Sequence, residues 1–208
     1  MNLDEVRCQL STFEREVAVV AEEMGDHKPS EIIYTEVLRE IVRSQAFGAC
    51  HKFSAVLYLL LAEFEAQLPA DAAQEVCLRI GVVASLHGYR FDHSWVQYGP
   101  GIYDPTVCLP DKNKGGKTDG PVFASHDLLT GKFVHQLYTA LADQSLGKIA
   151  QHVSDMSLEE YSEEIAEDGV PSLWKITENI GAQIGLQLNA EVLRAKHGAV
   201  RRMPAEVA

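Results

Sequence analysis

Apolar residues recur every three or four positions in the first part of the chain, which is the spacing that predicts an amphipathic helix. One such stripe covers residues 3–24, and a second follows Ser30, a natural N-cap, and ends near Gly48. Residues 50–68 are rich in helix formers and apolar around most of the helix circumference. A helix of that kind is predicted to lie in the middle of the domain.

The hydrophobic pattern changes to alternation after this helix. Residues 76–83 predict a strand, and residues 93–98 and 102–107 flank Gly99-Pro100-Gly101, which is a β-hairpin signal. Three later stretches predict helices: residues 128–153, 158–167 and 172–197, the last interrupted by Gly181 and Gly185. We therefore expect an α+β fold in which the helix that begins at Cys50 packs on a small antiparallel sheet.

The chain is long enough for one substantial core, so we expect a single domain over residues 1–208. Its predicted parts are N-terminal helices, a central core, a C-terminal helical extension and a flexible tail, over residues 1–47, 48–110, 125–197 and 198–208 respectively. The polar, glycine-bearing residues 111–120 predict a solvated loop, with a substrate lid as the alternative.

Charge and composition narrow the classes of partner. The 208 residues include 18 Lys and Arg against 30 Asp and Glu, a net charge of −12, and an acidic surface repels nucleic acid and anionic lipid. The N-terminus lacks a basic start followed by an apolar run, and the longest uncharged apolar stretch, residues 55–62, is far shorter than the roughly 20 residues that cross a bilayer. We expect a cytoplasmic protein that binds neither nucleic acid nor a membrane.

Three residues predict nucleophilic chemistry when the elements are taken together. Cys50 begins the buried helix, where exposed N–H groups and the helix dipole favour a thiolate. A thiol nucleophile needs a base, and the base needs an orienting partner. The hairpin supplies both if His93 faces Asp104 directly, a register that leaves residues 97–100 as the loop. A shift by one residue would place the two side chains on opposite faces, so we predict the direct register.

Three short segments resemble the motifs of a known family. They are GACHKFSA at residues 48–55, DHSWV at residues 92–96 and YDPT at residues 103–106. In this order they resemble the transglutaminase-like branch of the papain-like superfamily, whose motifs place G-x-C at a helix start, H-[AS]-W-V on a strand and D-P-T on the next strand. The resemblance covers residues 45–108, under a third of the chain.

The resemblance implies a papain/transglutaminase-like core with a Cys-His-Asp triad. Cys50 would be the nucleophile, His93 the base and later the acid, and Asp104 the group that orients the imidazole. The backbone N–H of Cys50 would bind the oxyanion, with Gln45 as a second donor. The implied activity is hydrolysis of an amide bond in a peptide or protein substrate through a thioester, as a peptidase or a deamidase, with no cofactor and no metal.

Three alternatives stay open on the sequence alone. The thioester could pass to an amine instead of water, which is transglutaminase or acyltransferase chemistry. The fold could serve as a non-catalytic interaction module, with the helical extension forming a homodimer or gripping a partner protein. The protein could also be a bacterial effector, secreted without a cleavable signal, that modifies a target protein.

The four cysteines include no C-x-x-C pair, so each cysteine is interpreted by itself. Cys8, Cys77 and Cys108 are expected to be packed, unreactive thiols. A zinc site is chemically conceivable, although no close-spaced ligand pair supports it. Its ligands would be Cys50, His93, Asp104 and Cys108.

Residues next to the three motif positions are expected to have other roles. His51 should project about 100° away from Cys50 around the helix and so stay outside the site. His87, in a predicted turn, is the alternative base. Asp92 should point to the opposite face of the strand from its neighbour. Trp95 is expected in the core or in a cleft wall.

Overall fold

Helices at both ends of the chain flank a small sheet, so the α+β prediction is confirmed. The structure is a computed structural model. It describes residues 3–24, 28–46, 48–108, 119–166 and 170–206. The loop predicted over residues 111–120 lies outside these ranges except for Asp119 and Gly120. Within them, no helix is both long enough and apolar enough to cross a membrane.

Long helices come first along the described residues, followed by short strands and further helices. The helices are α1 (Leu3–Glu23), α2 (Lys28–Arg43), α3 (Cys50–Glu65), α4 (Gln136–Thr139), α5 (Lys148–Asp155), α6 (Leu158–Ala166), α7 (Leu173–Gln183) and α8 (Ala190–His197). The strands are β1 (Val76–Ala84), β2 (Arg90–Tyr98), β3 (Gly101–Tyr103), β4 (Val122–Phe123), β5 (His126–Asp127) and β6 (Met203–Pro204).

The apolar stripes of the N-terminal helices form one core around α3. Helix α1 packs on α2, and α2 packs on α3. Residues 53–61 of α3 are buried except for Tyr58, as predicted for a helix that is apolar on nearly every side. Helix α2 begins at Lys28 and not after the predicted cap at Ser30. The reason is that Pro29 fits the first turn of a helix, where its missing N–H has no partner to lose.

The main sheet has the strand order β3-β2-β1-β6. Strands β1, β2 and β3 are antiparallel neighbours, whereas β6 runs parallel to β1. The sheet is therefore mixed, which corrects the prediction of an antiparallel sheet. The strand that makes the difference comes from the C-terminal segment, far from the hairpin in sequence, so no local pattern signals its pairing.

A two-residue turn, Gly99-Pro100, closes the hairpin between β2 and β3. Gly99 has a φ of +53°, which the first central position of a type II′ turn needs, and proline supplies the negative φ of the second position. The turn fixes the pairing of three residues on each strand: Val96 with Tyr103, Gln97 with Ile102, and Tyr98 with Gly101.

This register corrects the predicted one by two residues. We predicted His93 directly opposite Asp104 with residues 97–100 as the loop, but β3 ends at Tyr103 and Asp104 pairs with Val122 instead. The physical reason is the tight glycine turn, which shortens the loop to two residues. Because side chains alternate along a strand with a period of two, a shift by two keeps His93 and Asp104 on the same face.

The segment after β5 forms turns and two short helices, α4 and α5, which corrects the helix predicted over residues 128–153. The Asp127 carboxylate accepts hydrogen bonds from the backbone N–H groups of Leu129 and Thr130, at 3.1 and 2.7 Å. Bonds of this kind compete with helix formation. Gly131 follows with a φ of +67°, and Gly147 is the N-cap of α5. These local features interrupt a pattern that looks helical in the sequence.

The later predicted helical stretches are helical. Helix α6 covers residues 158–166 of the predicted 158–167. The stretch over residues 172–197 divides into α7 and α8 around Gly185, whose φ is +84°. The Asn189 side chain caps α8 by accepting hydrogen bonds from the first-turn N–H groups.

The residues after α8, which we expected to be flexible, are bound to the rest of the domain up to Glu206. Strand β6 pairs with β1, and the backbone of Arg201 forms an isolated antiparallel β-bridge with that of Ser157. The side chain of Arg202 is buried and donates to the carbonyl oxygen of His51 at 2.8 Å. The C-terminal segment therefore contacts both the sheet and the start of α3.

Candidate active site

Cys50 is the first residue of α3 and is partly exposed. Gly48 has a left-handed φ of +58° just before the helix, and Ala49 is the N-cap. Alanine has no side-chain acceptor, so the cap residue makes no side-chain hydrogen bond to the first turn, although its carbonyl accepts from the N–H groups of Lys52 and Phe53. The thiol therefore lies at the positive end of the helix dipole, beside N–H donors that a ligand can use.

His93 links the thiol to a carboxylate. Its imidazole, on β2, is buried and lies close enough to the Cys50 thiol to lower the pKa of that thiol. Its Nε2 atom lies 2.6 Å from Oδ2 of Asp104, so Nδ1 is the nitrogen that remains for the thiol. The structure thus brings Cys50, His93 and Asp104 into one chain of contacts.

The carboxylate of Asp104 is fully buried, and its two oxygens have separate partners. Oδ2 accepts from His93 and, at 2.8 Å, from the Tyr138 hydroxyl. Oδ1 accepts from the N–H groups of Thr106 and Val107, at 2.9 and 3.1 Å, and from the Thr106 hydroxyl at 2.9 Å. Burial raises the pKa of this carboxyl group, but the charge of His93 and these donors outweigh burial and lower the pKa. The ionised carboxylate is held in one orientation.

The charges at the site favour an ion pair of thiolate and imidazolium. Burial raises the pKa of the Cys50 thiol, but the charge of His93 and hydrogen bonds from His51 and His93 outweigh burial and hold the pKa well below its usual range. Burial lowers the pKa of His93, but Asp104 and Cys50 outweigh burial and raise the pKa to about 10. Both shifts favour the pair of thiolate and imidazolium over the neutral pair of thiol and imidazole.

His51 lies beside the thiol, which corrects the prediction that it would project away from Cys50. Its imidazole lies close enough to the thiol to lower the pKa of Cys50, and its Nδ1 lies 2.7 Å from Oγ of Ser94 on β2. The prediction counted only the step of about 100° around the helix axis. Side chains also tilt toward the N-terminal end of a helix, so neighbours in the first turn share the space in front of it.

Three other predicted residues have positions or partners elsewhere. Gln45 is exposed in the turn after α2, with a φ of +52°, and its oxyanion role stays a prediction. His87, the alternative base, lies in the turn between β1 and β2. Its Nε2 atom lies 4.0 Å from Oδ1 of Asp119. Asp92 accepts a hydrogen bond from the N–H of Gly147 at 3.2 Å. It therefore serves the start of α5.

The remaining cysteines differ from one another. Cys77 and Cys108 are buried, as predicted, whereas Cys8 is exposed because it lies between the apolar positions of α1, which corrects its assignment as a packed thiol. The Cys108 thiol donates to the carbonyl of Pro105 at 3.7 Å. Burial and the charge of Asp104 raise its pKa above the usual range. Among the described residues, no group of three or more His, Cys, Asp or Glu side chains is arranged to hold a metal ion, so the zinc alternative has no donor set there.

Residues that the sequence analysis did not assign to the site also contact it. Thr106 belongs to the YDPT motif, so its position two residues after Asp104 was a usable signal for the hydrogen bonds it makes. Tyr138 on α4 and Arg202 near β6 come from distant parts of the chain, and no local pattern marks them. Trp95 is buried, as expected. Its ring packs edge to face on that of Tyr138, with the two ring centroids 5.2 Å apart.

A functional conclusion for this chain rests on the geometry of the site. No family model, no curated protein and no solved structure matches the chain.

Proposed function

We propose that this protein is a cysteine hydrolase of amide bonds, with Cys50 as the nucleophile, His93 as the acid and base, and Asp104 as the orienting carboxylate. The observation that carries the proposal is the position of the buried His93 imidazole, which lowers the pKa of the Cys50 thiol and whose Nε2 lies 2.6 Å from Oδ2 of the buried Asp104 carboxylate. The resemblance of residues 48–55, 92–96 and 103–106 to the transglutaminase-like branch supports the same assignment and a papain/transglutaminase-like core.

In the first half of the proposed reaction, the Cys50 thiolate attacks the carbonyl carbon of an amide. The carbonyl oxygen gains negative charge, and the backbone N–H of Cys50 at the start of α3 is the donor we assign to it. The carbon–nitrogen bond then breaks, and the His93 imidazolium gives its Nδ1 proton to the departing amine. A thioester on Cys50 and a neutral imidazole remain.

In the second half, water attacks the thioester. The neutral His93 takes a proton from the water as the new carbon–oxygen bond forms, and the thiolate of Cys50 leaves. Asp104 stabilises the imidazolium that forms again and keeps Nε2 directed away from the substrate. The products are a carboxylic acid and the amine released earlier, so the enzyme returns to its starting ion pair.

The interaction-module alternative receives less support from the site. A fold kept only for binding has no requirement for a thiol, an imidazole and a fully satisfied buried carboxylate in contact. Buried charges of this kind are expensive to maintain unless they have a function. Perturbed titration at a partly exposed thiol favours a reactive site over a packing role.

A covalent probe tests the assignment of the nucleophile. A peptide acyloxymethyl ketone alkylates an active-site thiolate, and mass spectrometry of the digested protein locates the label. We expect labelling at Cys50 in the wild type and none at this position or elsewhere in Cys50→Ala. Cys108→Ala is the matched control, because it removes the other thiol near Asp104, and it should be labelled as the wild type is. Equal labelling of Cys50→Ala would reject the proposal.

The products distinguish hydrolysis from transfer. A mixture of peptides containing glutamine and asparagine is incubated with the enzyme in the presence of a fluorescent primary amine. New peptide N-termini indicate a peptidase, released ammonia with conversion to acid indicates a deamidase, and incorporated amine indicates an acyltransferase. We expect one of the two hydrolytic outcomes, and it should be absent in Cys50→Ala. Incorporation of the amine without hydrolysis would replace the hydrolase by the transferase.

A further inference from the structure

A buried arginine from the C-terminal segment lies against the start of α3. Arg202 is 3% exposed. Its Nη2 donates to the carbonyl oxygen of His51 at 2.8 Å, and its Nη1 donates to the carbonyl oxygen of Val153 at 3.4 Å. The guanidinium lies over the ring of Tyr161, 4.5 Å from its centroid. It therefore joins the start of the nucleophile helix to α5 and α6.

Stability of the fold does not by itself explain why Arg202 is buried at this position. The Nε atom of Arg202 is buried and has no hydrogen-bond partner. An unpaired donor on a buried charged group is destabilising, and a buried guanidinium is ordinarily matched by a carboxylate. Its hydrogen bonds in the described part of the chain run to neutral carbonyl groups. Negative charge on Tyr161 or on Cys50 would interact favourably with the guanidinium, and Cys50 is the one of the two whose pKa is lowered.

We propose that Arg202 is a positioning residue for Cys50: it holds the first turn of α3 through the His51 carbonyl and supplies a fixed positive charge beside the thiolate. The proposal rests on the proposed function only in taking Cys50 as the reacting group. It also gives the C-terminal segment a role in the site, because β6 pairs with β1 immediately after this residue and holds it in place.

Groups on several elements of the described part of the chain interact electrostatically with the thiol. They are His51 on α3 itself, His93 on β2, Tyr161 on α6 and Arg202. His93 gives up its proton in the proposed reaction, and the phenol of Tyr161 is neutral at neutral pH because burial raises its pKa. Arg202 keeps its positive charge at neutral pH, although burial lowers its pKa to about 10. It is thus the charge at the site that does not depend on proton transfer.

Substitutions that separate charge from shape test this inference. Arg202→Gln removes the charge and keeps a donor for the His51 carbonyl, whereas Arg202→Lys keeps the charge. Arg201→Gln is the matched control, because that neighbouring arginine is exposed and pairs with Glu160 at 3.5 Å. The readout is the rate of Cys50 alkylation by iodoacetamide as a function of pH, resolved by mass spectrometry. Circular dichroism and urea unfolding report whether each variant is folded.

We expect the pH profile of Arg202→Gln to move up by about one pH unit, with a rate about tenfold lower on the acidic side. Arg202→Lys should stay within about threefold of the wild type, and Arg201→Gln should match it. A purely structural role would lower the urea midpoint of Arg202→Gln and leave the pH profile in place, which would overturn the proposal. If Arg202→Gln does not fold, Arg202→Lys decides alone, and a tenfold loss in that charged variant would overturn the proposal.

This readout is independent of the proposed hydrolase activity. Iodoacetamide reports the thiolate and needs neither the oxyanion donor nor an amide substrate. A wild type with a reactive Cys50 but no Cys50-dependent product from peptides would contradict the hydrolase and leave the Arg202 inference standing. An unmoved alkylation profile in Arg202→Gln, together with Cys50-dependent hydrolysis, would contradict Arg202 and leave the hydrolase standing.

Discussion

Two thiols lie near the same buried carboxylate and are affected in opposite directions. Cys108 follows Asp104 in the chain, and burial together with the negative charge of Asp104 raises its pKa above the usual range. Cys50 is separated from that carboxylate by His93, and the net effect is a pKa well below the usual range. The comparison indicates that a buried carboxylate raises the pKa of a nearby thiol directly and helps to lower it where a protonated imidazole lies between the two groups.

The surroundings of the two thiols also differ in backbone. Cys50 begins α3 and lies at the positive end of the helix dipole, whereas the Cys108 thiol donates its own hydrogen bond to the carbonyl of Pro105. Cys50 is partly exposed and Cys108 is fully buried. Cys50 is therefore the more accessible of the two residues, and Cys108 is expected to contribute only packing. The two thiols therefore differ in the charges around them, in their backbone surroundings and in their exposure.

The largest effect is expected from removing one thiol or the other. Cys50→Ala should lower the rate of amide hydrolysis by on the order of a thousandfold or more, because no other group can form the thioester. Cys108→Ala should leave the rate within about threefold and lower the free energy of unfolding by about 1 kcal/mol through lost packing. Initial rates and urea unfolding of the two variants measure both quantities. A comparable loss of rate in the two variants would contradict the distinction between the thiols.

Removing the charge of Asp104 should bring the two thiols closer in behaviour. Asp104→Asn keeps the size of the side chain but cannot stabilise the imidazolium of His93, so the hydrolysis rate should fall by about a hundredfold or more. The pKa of Cys108 should fall because the Asp104 charge raises it directly, whereas the pKa of Cys50 should rise because Asp104 lowers it indirectly, by keeping His93 protonated.

Alkylation of both thiols as a function of pH measures these two shifts in one experiment. Cys108 is buried, so its alkylation is followed in a mild concentration of urea that leaves the fold intact by circular dichroism. Shifts of the same sign at Cys50 and Cys108 would show that Asp104→Asn acts by loosening the structure and not through charge.

The pH dependence of hydrolysis should have two limbs. The active form contains a Cys50 thiolate and a His93 imidazolium, so activity is lost as pH falls through the lowered pKa of Cys50 and as it rises through the raised pKa of His93, about 10. In contrast, alkylation of Cys108 should increase only toward high pH. The profile of kcat/KM for a peptide amide measures the two limbs. A single limb with activity rising through the ordinary pKa range of a free thiol would show that no ion pair forms.

The smallest effect is expected from the outer hydrogen bond to the carboxylate. Tyr138→Phe removes the 2.8 Å bond to Asp104 and keeps the ring contact with Trp95. Loss of one such bond is worth about 1 kcal/mol, which corresponds to about a fivefold lower rate if it is lost wholly in the transition state. Tyr34→Phe, which removes a bond to the Asp104 backbone carbonyl, is the matched control and should affect stability more than rate. A hundredfold loss in Tyr138→Phe would mean that Tyr138 itself takes part in the chemistry.

The parts of the site that depend on local sequence patterns can be predicted from the sequence. The apolar circumference of residues 53–61 predicts the buried α3, and alternation predicts that His93 and Asp104 share a face. The exact pairing was wrong by two residues, because turn geometry and not strand pattern sets it. His93 and Asp104 still lie on the same face of the sheet, because side-chain direction repeats every two residues.

Other parts of the site depend on contacts between distant segments. Tyr138 reaches Asp104 from α4, a region whose apolar spacing wrongly predicted a long helix. Arg202 reaches α3 from a segment predicted to be flexible. Neither position is marked by a motif, since a tyrosine or an arginine at the chain surface has the same local signature as one that is buried. Their placement is decided by tertiary packing, which a single sequence does not display.

The central claim is that Cys50 is a thiolate at neutral pH because of its contact with His93. The ultraviolet absorbance of thiolates, titrated for the wild type and for Cys50→Ala, measures this directly, because the difference spectrum contains the contribution of one sulfur. The account predicts that this contribution is already complete at neutral pH and decreases only in acid. A contribution that is absent at neutral pH and develops only in alkaline solution, as for an ordinary thiol, would contradict the account.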